Sequence, residues 1–494
     1  MRIALVLGVI GRLLKIFCFA FVPPLCLAAW DAWQGDGSWM EAGHFAISLA
    51  ATWICGWLAS LLFVPKSDFR RAEALAVVAG TWMVIAHFAA APYMFAGLSY
   101  VDSFFESISG LTTTGATILT DFDAHGRAFF LWRSMTQWFG GLGVIALFVV
   151  VLPQLGIAGR QILFAEGSDA TTDVISPSVR ESARRLWILY CFLTGLEMLL
   201  LRLVAGMNWF ESVCHSLTTM SAGGFSPNGE SIAGYANPAA EWIIIFFMIL
   251  SGMSFPLIWL GFTRRPREIV RDGEWRFYML CMGFGAIGLA AMLAQGMPGF
   301  EEIRIGLFQS ASLISSTGFA SVDYAQSPWT DGMRILLLFV MIIGGCAGSA
   351  AGGPKAIRNL LSLKFMWREF TRVLHPRGVI PLRHRGHAVP EDAMRAIINL
   401  VLAYIVLYLV VGALVVMLGS GLVEGFTAAL ACVGNIGPGF GAVGPMENFA
   451  SLHPLAKIIL SLGMWMGRLE LVTVLVLLHP DVLSRLRWRG DRRF

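Results

Sequence analysis

Four stretches of small and hydroxylated residues, each carrying a glycine, interrupt a chain that is otherwise strongly apolar. Aligned on those glycines without gaps, they read ESISGLTTTGAT (106–117), HSLTTMSAGGFS (215–226), QSASLISSTGFA (309–320) and AALACVGNIGPG (428–439). Glycine allows backbone angles that other residues resist, so that carbonyl groups can turn inward. Inward carbonyls replace the hydration shell of a potassium ion, and threonine and serine hydroxyls add further oxygen ligands. The chemistry that these residues offer is therefore cation coordination.

One such stretch alone would indicate only a helix-breaking turn whose hydroxyls cap backbone groups. Four in register indicate an internal repeat made of a helix, a short half-helix, a glycine-bearing loop and a second helix. Irregular backbone at membrane depth is tolerated only where it is buried in protein or lines a water-filled path. We therefore predict four loops that converge on one axis. The predicted ion-binding residues are Thr112, Thr113, Thr114, Gly115, Ser221, Ala222, Gly223, Gly224, Ser315, Ser316, Thr317, Gly318, Gly434, Asn435, Ile436 and Gly437.

The composition places the chain in the membrane class. Of its 494 residues, 56% are hydrophobic and 14% are charged, against about 25% charged in soluble domains. The eight cysteines are scattered without metal-ligand spacing, and we expect no cofactor in this chain, with potassium as a substrate only. Ten runs are long enough to span a bilayer. They lie near 4–31, 43–64, 73–96, 128–152, 185–206, 240–262, 275–297, 332–360, 393–419 and 455–479.

The basic residues sort to one side of these runs. If the helices alternate in direction, most of the 36 Lys and Arg residues fall in loops of one face. The positive-inside rule makes that face cytoplasmic and places both termini inside. The net charge of +4 is then a topology signal, and no nucleic-acid partner is expected. The first thirty residues resemble a signal peptide, but Arg12 and Lys15 interrupt them, and we interpret them as a retained helix kinked at Pro23 and Pro24.

A glycine-rich stretch, GGCAGSAAGGPKAIR (344–358), interrupts the predicted span 332–360. Each glycine destabilises a helix by about 1 kcal/mol relative to alanine. Such a stretch is either a close-packing patch between helices or a movable element. The residues of this patch or movable element are Gly344, Gly345, Gly348, Ser349, Gly352 and Gly353.

Arg468 lies inside the apolar run 455–479, and a buried charge in a spanning helix is a functional candidate. Glu470 lies only two residues further on, so the two side chains do not share a helix face. A structural ion pair with some other acid is the alternative role for Arg468. Glu197, in the predicted span 185–206, is one such acid, and the sequence leaves its role open.

These features together resemble the membrane subunit of the Trk/Ktr potassium uptake systems, of the TrkH type. The resemblance covers essentially the whole chain and rests on the four glycine loops, the broken helix and the arginine. It implies an all-α polytopic membrane protein with four helix–pore-loop–helix repeats around a pseudo-fourfold pore, preceded by two extra helices. It also implies that the 344–353 loop obstructs the pore below the filter, and that Arg468 faces the pore near this gate.

The resemblance further implies a homodimer in the bacterial inner membrane, regulated by a cytoplasmic ring of nucleotide-binding subunits. Such a ring would dock on the basic loop Lys355–Arg395, which also suits lipid headgroups. No Walker A motif or GxGxxG after a strand occurs in the chain, so nucleotide sensing must come from a separate partner.

The predicted organisation divides the chain into six parts. They are two N-terminal helices (1–70), pore repeats at 71–155, 180–263, 273–362 and 390–480, and a basic tail (481–494). The third repeat contains the broken gate helix.

The expected function is potassium uptake through a selective pore gated by a cytoplasmic partner. A membrane-embedded enzyme would need clustered ionisable groups at one depth, which the sequence lacks. A secondary symporter that couples potassium to sodium or protons is the alternative, but such transporters use inverted repeats and broken helices, and the sequence shows one broken helix and four parallel repeats.

Overall fold

The computed structural model describes residues 2–62, 71–150, 179–263, 266–294, 296–326, 328–378, 380–385 and 387–484. Apart from one two-residue hairpin, the described residues with regular structure are helical. The helices are α1 Ile3–Phe17, α2 Val22–Gln34, α3 Trp39–Ser60, α4 Arg71–Ala89, α5 Ala91–Phe95, α6 Tyr100–Leu111, α7 Arg127–Val150, α8 Val179–Leu203, α9 Trp209–Met220, α10 Pro238–Ser251, α11 Phe255–Thr263, α12 Pro266–Arg271, α13 Gly273–Leu293, α14 Phe300–Ile314, α15 Asp331–Ile343, α16 Ala356–Leu374, α17 Glu391–Met417, α18 Leu422–Val433, α19 Pro454–Arg468, α20 Leu471–Leu478 and α21 Pro480–Leu483.

The described part of the chain contains six helical segments long and apolar enough to cross a membrane, and the bent pair α10–α11 would make a seventh. They are Ile3–Gln34, Trp39–Ser60, Ala72–Phe95, Ala183–Leu203, Gly273–Leu293 and Glu391–Met417. The predicted all-α membrane architecture is therefore confirmed, and the chain is a multi-pass membrane protein.

Three of the predicted spans are broken rather than continuous. The run 240–262 divides into α10 and α11, which meet at an angle of 102°. The run 332–360 ends α15 at Ile343 and resumes at Ala356, and the run 455–479 breaks between α19 and α20. The sequence predicts only the break at 344–355, because the glycines there weaken a helix. The other two lie at Gly252–Ser254 and at Leu469–Glu470, where Glu470 adopts a left-handed backbone with φ 60°.

The N-terminal helices contain a proline-linked irregularity, and two of them cross closely through a glycine. The predicted proline kink appears as a 3-10 turn over Cys18–Phe21, one turn before Pro23 and Pro24. Proline has no N–H and its ring clashes with the preceding turn, so the helix tightens there. On α1, Gly11 packs directly against α3, where a Cβ would lie 2.5 Å from the Ser60 nitrogen. This close crossing fixes α1 and α3 as one unit.

The hairpin β1 (Arg383–His384) and β2 (His387–Ala388) lies in the basic loop between α16 and α17. No pattern in the sequence predicts this hairpin. The boundaries that we predict for the six parts of the chain stay predictions. Residues 63–70, 151–155 and 485–494, which belong to those parts, lie outside the described residues.

Candidate functional site

Four short helices, α6, α9, α14 and α18, lead directly into the four glycine loops. Each loop carries two left-handed residues separated by one other. The pairs are Thr113 and Gly115, Ala222 and Gly224, Ser316 and Gly318, and Asn435 and Gly437. The aligned positions of the sequence therefore share one backbone conformation in all four loops.

The hydrogen bonds of the residue before each glycine are also equivalent. In every loop, the N–H of this residue donates to the carbonyl five residues earlier. The distances are 2.8 Å for Thr114, 2.9 Å for Gly223, 2.9 Å for Thr317 and 2.8 Å for Ile436. Each bond ties the loop to the last turn of its short helix and satisfies one of the carbonyls that a helix end leaves free. The carbonyl of the same residue then points away from its own helix.

These carbonyls close a ring from loop to loop. A Cβ built on Gly115 would lie 2.1 Å from the Gly223 oxygen, and one on Gly224 would lie 1.9 Å from the Thr317 oxygen. Continuing around the ring, a Cβ on Gly318 would lie 2.1 Å from the Ile436 oxygen, and one on Gly437 would lie 2.7 Å from the Thr114 oxygen. Each glycine therefore meets the carbonyl of the next loop, and the fourth loop meets the first.

The face that carries the loops after these glycines is called the outer face. The four glycines line the floor of an outer cavity of about 500 Å³. Its walls include the carboxylates Glu230, Asp323 and Glu447 and the guanidinium of Arg133. Three acidic residues thus line the cavity that opens onto this ring.

Two of the three hydroxyls of the first loop make hydrogen bonds within the protein, and their predicted role in ion binding stays a prediction. Thr112 donates to the Ile108 oxygen over 2.7 Å, and its hydroxyl is 2.7 Å from that of Thr114. Thr114 also accepts a hydrogen bond from the Asn435 amide over 3.0 Å. These two hydroxyls brace the loop. The buried Thr113 hydroxyl, by contrast, has no hydrogen-bond partner among the described residues.

On the side of the ring opposite the outer cavity lies the segment between α15 and α16. We call Gly344–Lys355 the gate loop. The Gly352 N–H donates to the Ser316 hydroxyl over 2.6 Å. A Cβ on Gly352 would lie 2.7 Å from the Gly434 oxygen and 2.6 Å from the Asn435 Cβ. The gate loop is therefore in contact with the third and fourth glycine loops.

The gate loop is also bonded to the break between α10 and α11. Cys346 donates from its backbone to the Gly252 oxygen over 2.8 Å, and Phe255 donates from its backbone to the Gly348 oxygen over 3.0 Å. From α13, Glu274 accepts the Ala347 N–H over 2.6 Å. The break between α10 and α11, which the sequence does not predict, thus supplies backbone hydrogen-bond partners for the gate loop.

Arg468, at the end of α19, reaches the gate loop. Its Nη1 donates to the Ala350 oxygen over 2.8 Å, whereas Nε and Nη2 have no hydrogen-bond partner among the described residues. Glu470 pairs instead with Arg358 of α16, at 3.0 Å. Among the described residues, no salt bridge joins Arg468 to the fully buried Glu197, so the ion pair considered for these two side chains does not form there.

A buried ion pair that the sequence reasoning missed holds the outer ends of the first two loops. On α7, Arg133 contacts Glu106 of α6 through Nε over 2.8 Å and donates from Nη1 to the Ser226 oxygen over 3.0 Å. Glu106 also accepts the Ile118 N–H over 3.0 Å. The guanidinium carbon lies 4.1 Å from the centre of the Phe225 ring. The available signal was an arginine inside the apolar run 128–152.

We expect Arg133→Met to destabilise the protein by about 3–5 kcal/mol, because Glu106 is left as an uncompensated buried charge. The double variant Arg133→Met with Glu106→Gln should lose less stability, since the glutamine is neutral and still accepts the Ile118 N–H. Thermal unfolding of the purified protein in detergent measures both. A double variant no more stable than the single one would contradict this account of the pair.

Comparison with known proteins agrees with this architecture. The family model TrkH, described as a cation transport protein, matches residues 44–482. The Trk system potassium uptake protein TrkH of Halomonas elongata is 33% identical over 492 residues, covering 97% of this chain and 99% of that protein. The protein of the same name from Escherichia coli K12 is 34% identical over 443 residues, covering 86% of this chain and 89% of its own length.

The fold matches a solved structure over nearly the whole chain. The crystal structure of the potassium transporter TrkH from Vibrio parahaemolyticus superimposes with a TM-score of 0.87 at 29% identity. The match covers 98% of this chain and 100% of that chain. On the family model, the curated relatives and the solved structure together, this chain belongs to the TrkH family of cation transport proteins.

Proposed function

We propose that this chain takes up potassium across the bacterial inner membrane through a pore whose selectivity filter is the ring of four glycine loops. The observation that carries the proposal is a ring of contacts. Each aligned glycine lies against a carbonyl of the next loop, and that carbonyl belongs to the residue just before the aligned glycine of that loop. Carbonyls that alternate around an axis can replace the water shell of an alkali cation. The names of the relatives, which are potassium uptake proteins, support potassium as that cation.

The electrostatics of the site favour a cation. All four short helices end at the ring, and a helix C-terminus carries about half a negative charge. Three carboxylates, Glu230, Asp323 and Glu447, line the outer cavity beside a single guanidinium. An acidic mouth attracts cations and repels anions. The helix ends at the ring and the carboxylates of the outer cavity thus both favour a cation.

The gate loop is proposed to close the pore below the ring. It touches the third and fourth glycine loops, and Arg468 places a positive charge beside it. A cytoplasmic ring of nucleotide-binding subunits, docked on the basic loop Lys355–Arg395, would move the gate. We further propose that both termini are cytoplasmic and that the protein works as a homodimer in the lipid bilayer, each protomer with its own pore.

Coupled symport was disfavoured on the sequence partly because only one helix was expected to be broken. That argument fails, since three of the predicted spans are broken within the residues that the structure describes. The cyclic closure of four loops replaces it, because midplane sites of secondary transporters form between two repeats rather than four.

The test is cation flux into liposomes that contain the full-length protein, comparing potassium, rubidium, sodium and lithium. We expect flux of potassium and rubidium well above that of sodium and lithium. If the intact chain is closed without its partner, the same assay on a variant lacking Gly344–Gly353 should reveal the selective flux. Flux without preference in both preparations would overturn the filter assignment.

A further inference from the structure

The second glycine loop differs from the others at one position. The residue before the aligned glycine is Thr114, Thr317 or Ile436 in the other three loops, and Gly223 in the second. In the first and third loops the threonine hydroxyl lies 2.7 Å from the hydroxyl two residues earlier, at Thr112 and Ser315. In the fourth, the Ile436 side chain packs over Gly434. The second loop has no side chain of its own at this place.

The amide of Gln137, on α7, fills this place. Its Nε2 donates to the Gly223 oxygen over 2.7 Å, and its Oε1 accepts the Phe225 N–H over 3.0 Å. These bonds bracket Gly224. A Cβ on Gly223 would lie 2.4 Å from both Cδ and Oε1 of the amide. Gln137 is fully buried, so both of its bonds are made in the absence of bulk water.

Gly223 has no backbone need to be glycine. The left-handed residues of this loop are Ala222 and Gly224, and Gly223 has no positive φ. The contact that excludes a side chain there is with the Gln137 amide. Glycine at position 223 and glutamine at position 137 are therefore one structural unit, in which a side chain from the neighbouring helix replaces a missing side chain of the loop.

Building on the proposed filter, we infer that Gln137 is a positioning residue that sets cation selectivity by fixing the Gly223 carbonyl and Gly224. Two consecutive glycines would otherwise make this loop the most flexible of the four. A carbonyl oxygen has two lone pairs, so the bond to Gln137 leaves one for an ion. The four carbonyls of the ring are then not equivalent, because the Gly223 carbonyl also accepts a hydrogen bond from Gln137.

The test is the ratio of rubidium to sodium uptake by the full-length protein in cells that lack their own potassium uptake systems. A net hydrogen bond is worth about 1 kcal/mol, so Gln137→Leu should lower this ratio about fivefold. Gln137→Met keeps about the same length but has neither the amide donor for Gly223 nor the acceptor for Phe225, and should lower it too. Ser134→Ala is the matched control, because that buried hydroxyl of α7 donates to the Phe130 oxygen of its own helix over 3.0 Å and, among the described residues, bonds no residue of the glycine loops.

A double-mutant cycle gives the sharper test. Gly223→Thr alone should abolish selective uptake, because the new side chain collides with the amide. Gly223→Thr combined with Gln137→Ala should recover most of the ratio, since the introduced hydroxyl would then face Ser221 as Thr114 faces Thr112. This non-additivity identifies the pair, whereas a general loss of folding would add in the double variant.

The outcomes separate the two levels of the proposal. If the unaltered protein takes up both ions equally, the proposed filter fails and this inference with it. If the unaltered protein is selective, but Gln137→Leu and Gln137→Met leave the ratio unchanged, only the role of Gln137 is overturned. An equal loss of the rubidium-to-sodium ratio in Gly223→Thr and in Gly223→Thr combined with Gln137→Ala would overturn the role of Gln137 as well.

Discussion

Replacing Gly224 with alanine is expected to abolish potassium-selective uptake. Gly224 has φ +77°, and its Cβ would lie 1.9 Å from the Thr317 oxygen of the next loop. A left-handed backbone costs a non-glycine residue about 1–2 kcal/mol, and at 1.4 kcal/mol per tenfold the strain alone predicts a loss of about 5- to 30-fold. The collision adds to this, because the obstacle is a backbone carbonyl of the proposed ring. Rubidium uptake and the rubidium-to-sodium ratio measure the effect.

Two other glycines calibrate this prediction. Gly437→Ala should be milder, since its Cβ would lie 2.7 Å from the Thr114 oxygen. Gly195→Ala is the control, because Gly195 lies in α8 and, among the described residues outside its own stretch of helix backbone, no atom is within 4 Å of its Cβ position. We expect that variant to behave as the unaltered protein. Selective uptake by Gly224→Ala, or an equal loss at Gly195, would exclude the ring as the basis of selectivity.

Removing the charge of Arg468 is expected to make the closed protein leak. The guanidinium is buried and donates to the Ala350 oxygen of the gate loop, so a leucine would remove both a positive charge and a contact that holds the loop. A unit charge about 6 Å from a cation, at an effective dielectric of about 20, opposes it by about 3 kcal/mol, or roughly a hundredfold in rate. Basal rubidium flux into liposomes without any partner should rise accordingly in Arg468→Leu.

Lys457→Met is the matched control for this effect. Lys457 lies on the same helix, α19, but its Nζ contacts the Asp102 carboxylate over 2.6 Å at the other end. Removing its charge should leave basal flux unchanged. A lower flux in Arg468→Leu than in the unaltered protein would mean that the arginine holds the pore open, and the gate assignment would then be wrong.

Much of the site was predictable because it is local. The left-handed pairs at Thr113 and Gly115, and at Ser316 and Gly318, follow from short segments whose glycines and hydroxyls are adjacent in sequence. The break at Gly344–Lys355 is local in the same way, since its glycines weaken the helix wherever it lies. Repetition of one pattern four times made each weak local signal specific.

The breaks at Gly252–Ser254 and Leu469–Glu470 were missed for the opposite reason. Each lies in a run apolar enough to read as one helix, and each is stabilised by partners distant in sequence. The Gly252 carbonyl accepts the N–H of Cys346, and Glu470 pairs with Arg358. Nothing near residue 252 in the sequence indicates that a loop almost a hundred residues later will occupy its hydrogen bonds.

By itself, the sequence determined the membrane class, the helical architecture, the four glycine loops and the glycine-rich interruption, because composition and short-range pattern decide these. Only the tertiary structure decided which carbonyl faces which glycine, that Arg468 reaches Ala350 rather than an acid, and that Gln137 stands in for a side chain at Gly223. These are contacts between residues far apart along the chain. Their geometry depends on how the packed helices place the loops, and that placement is a property of the whole fold.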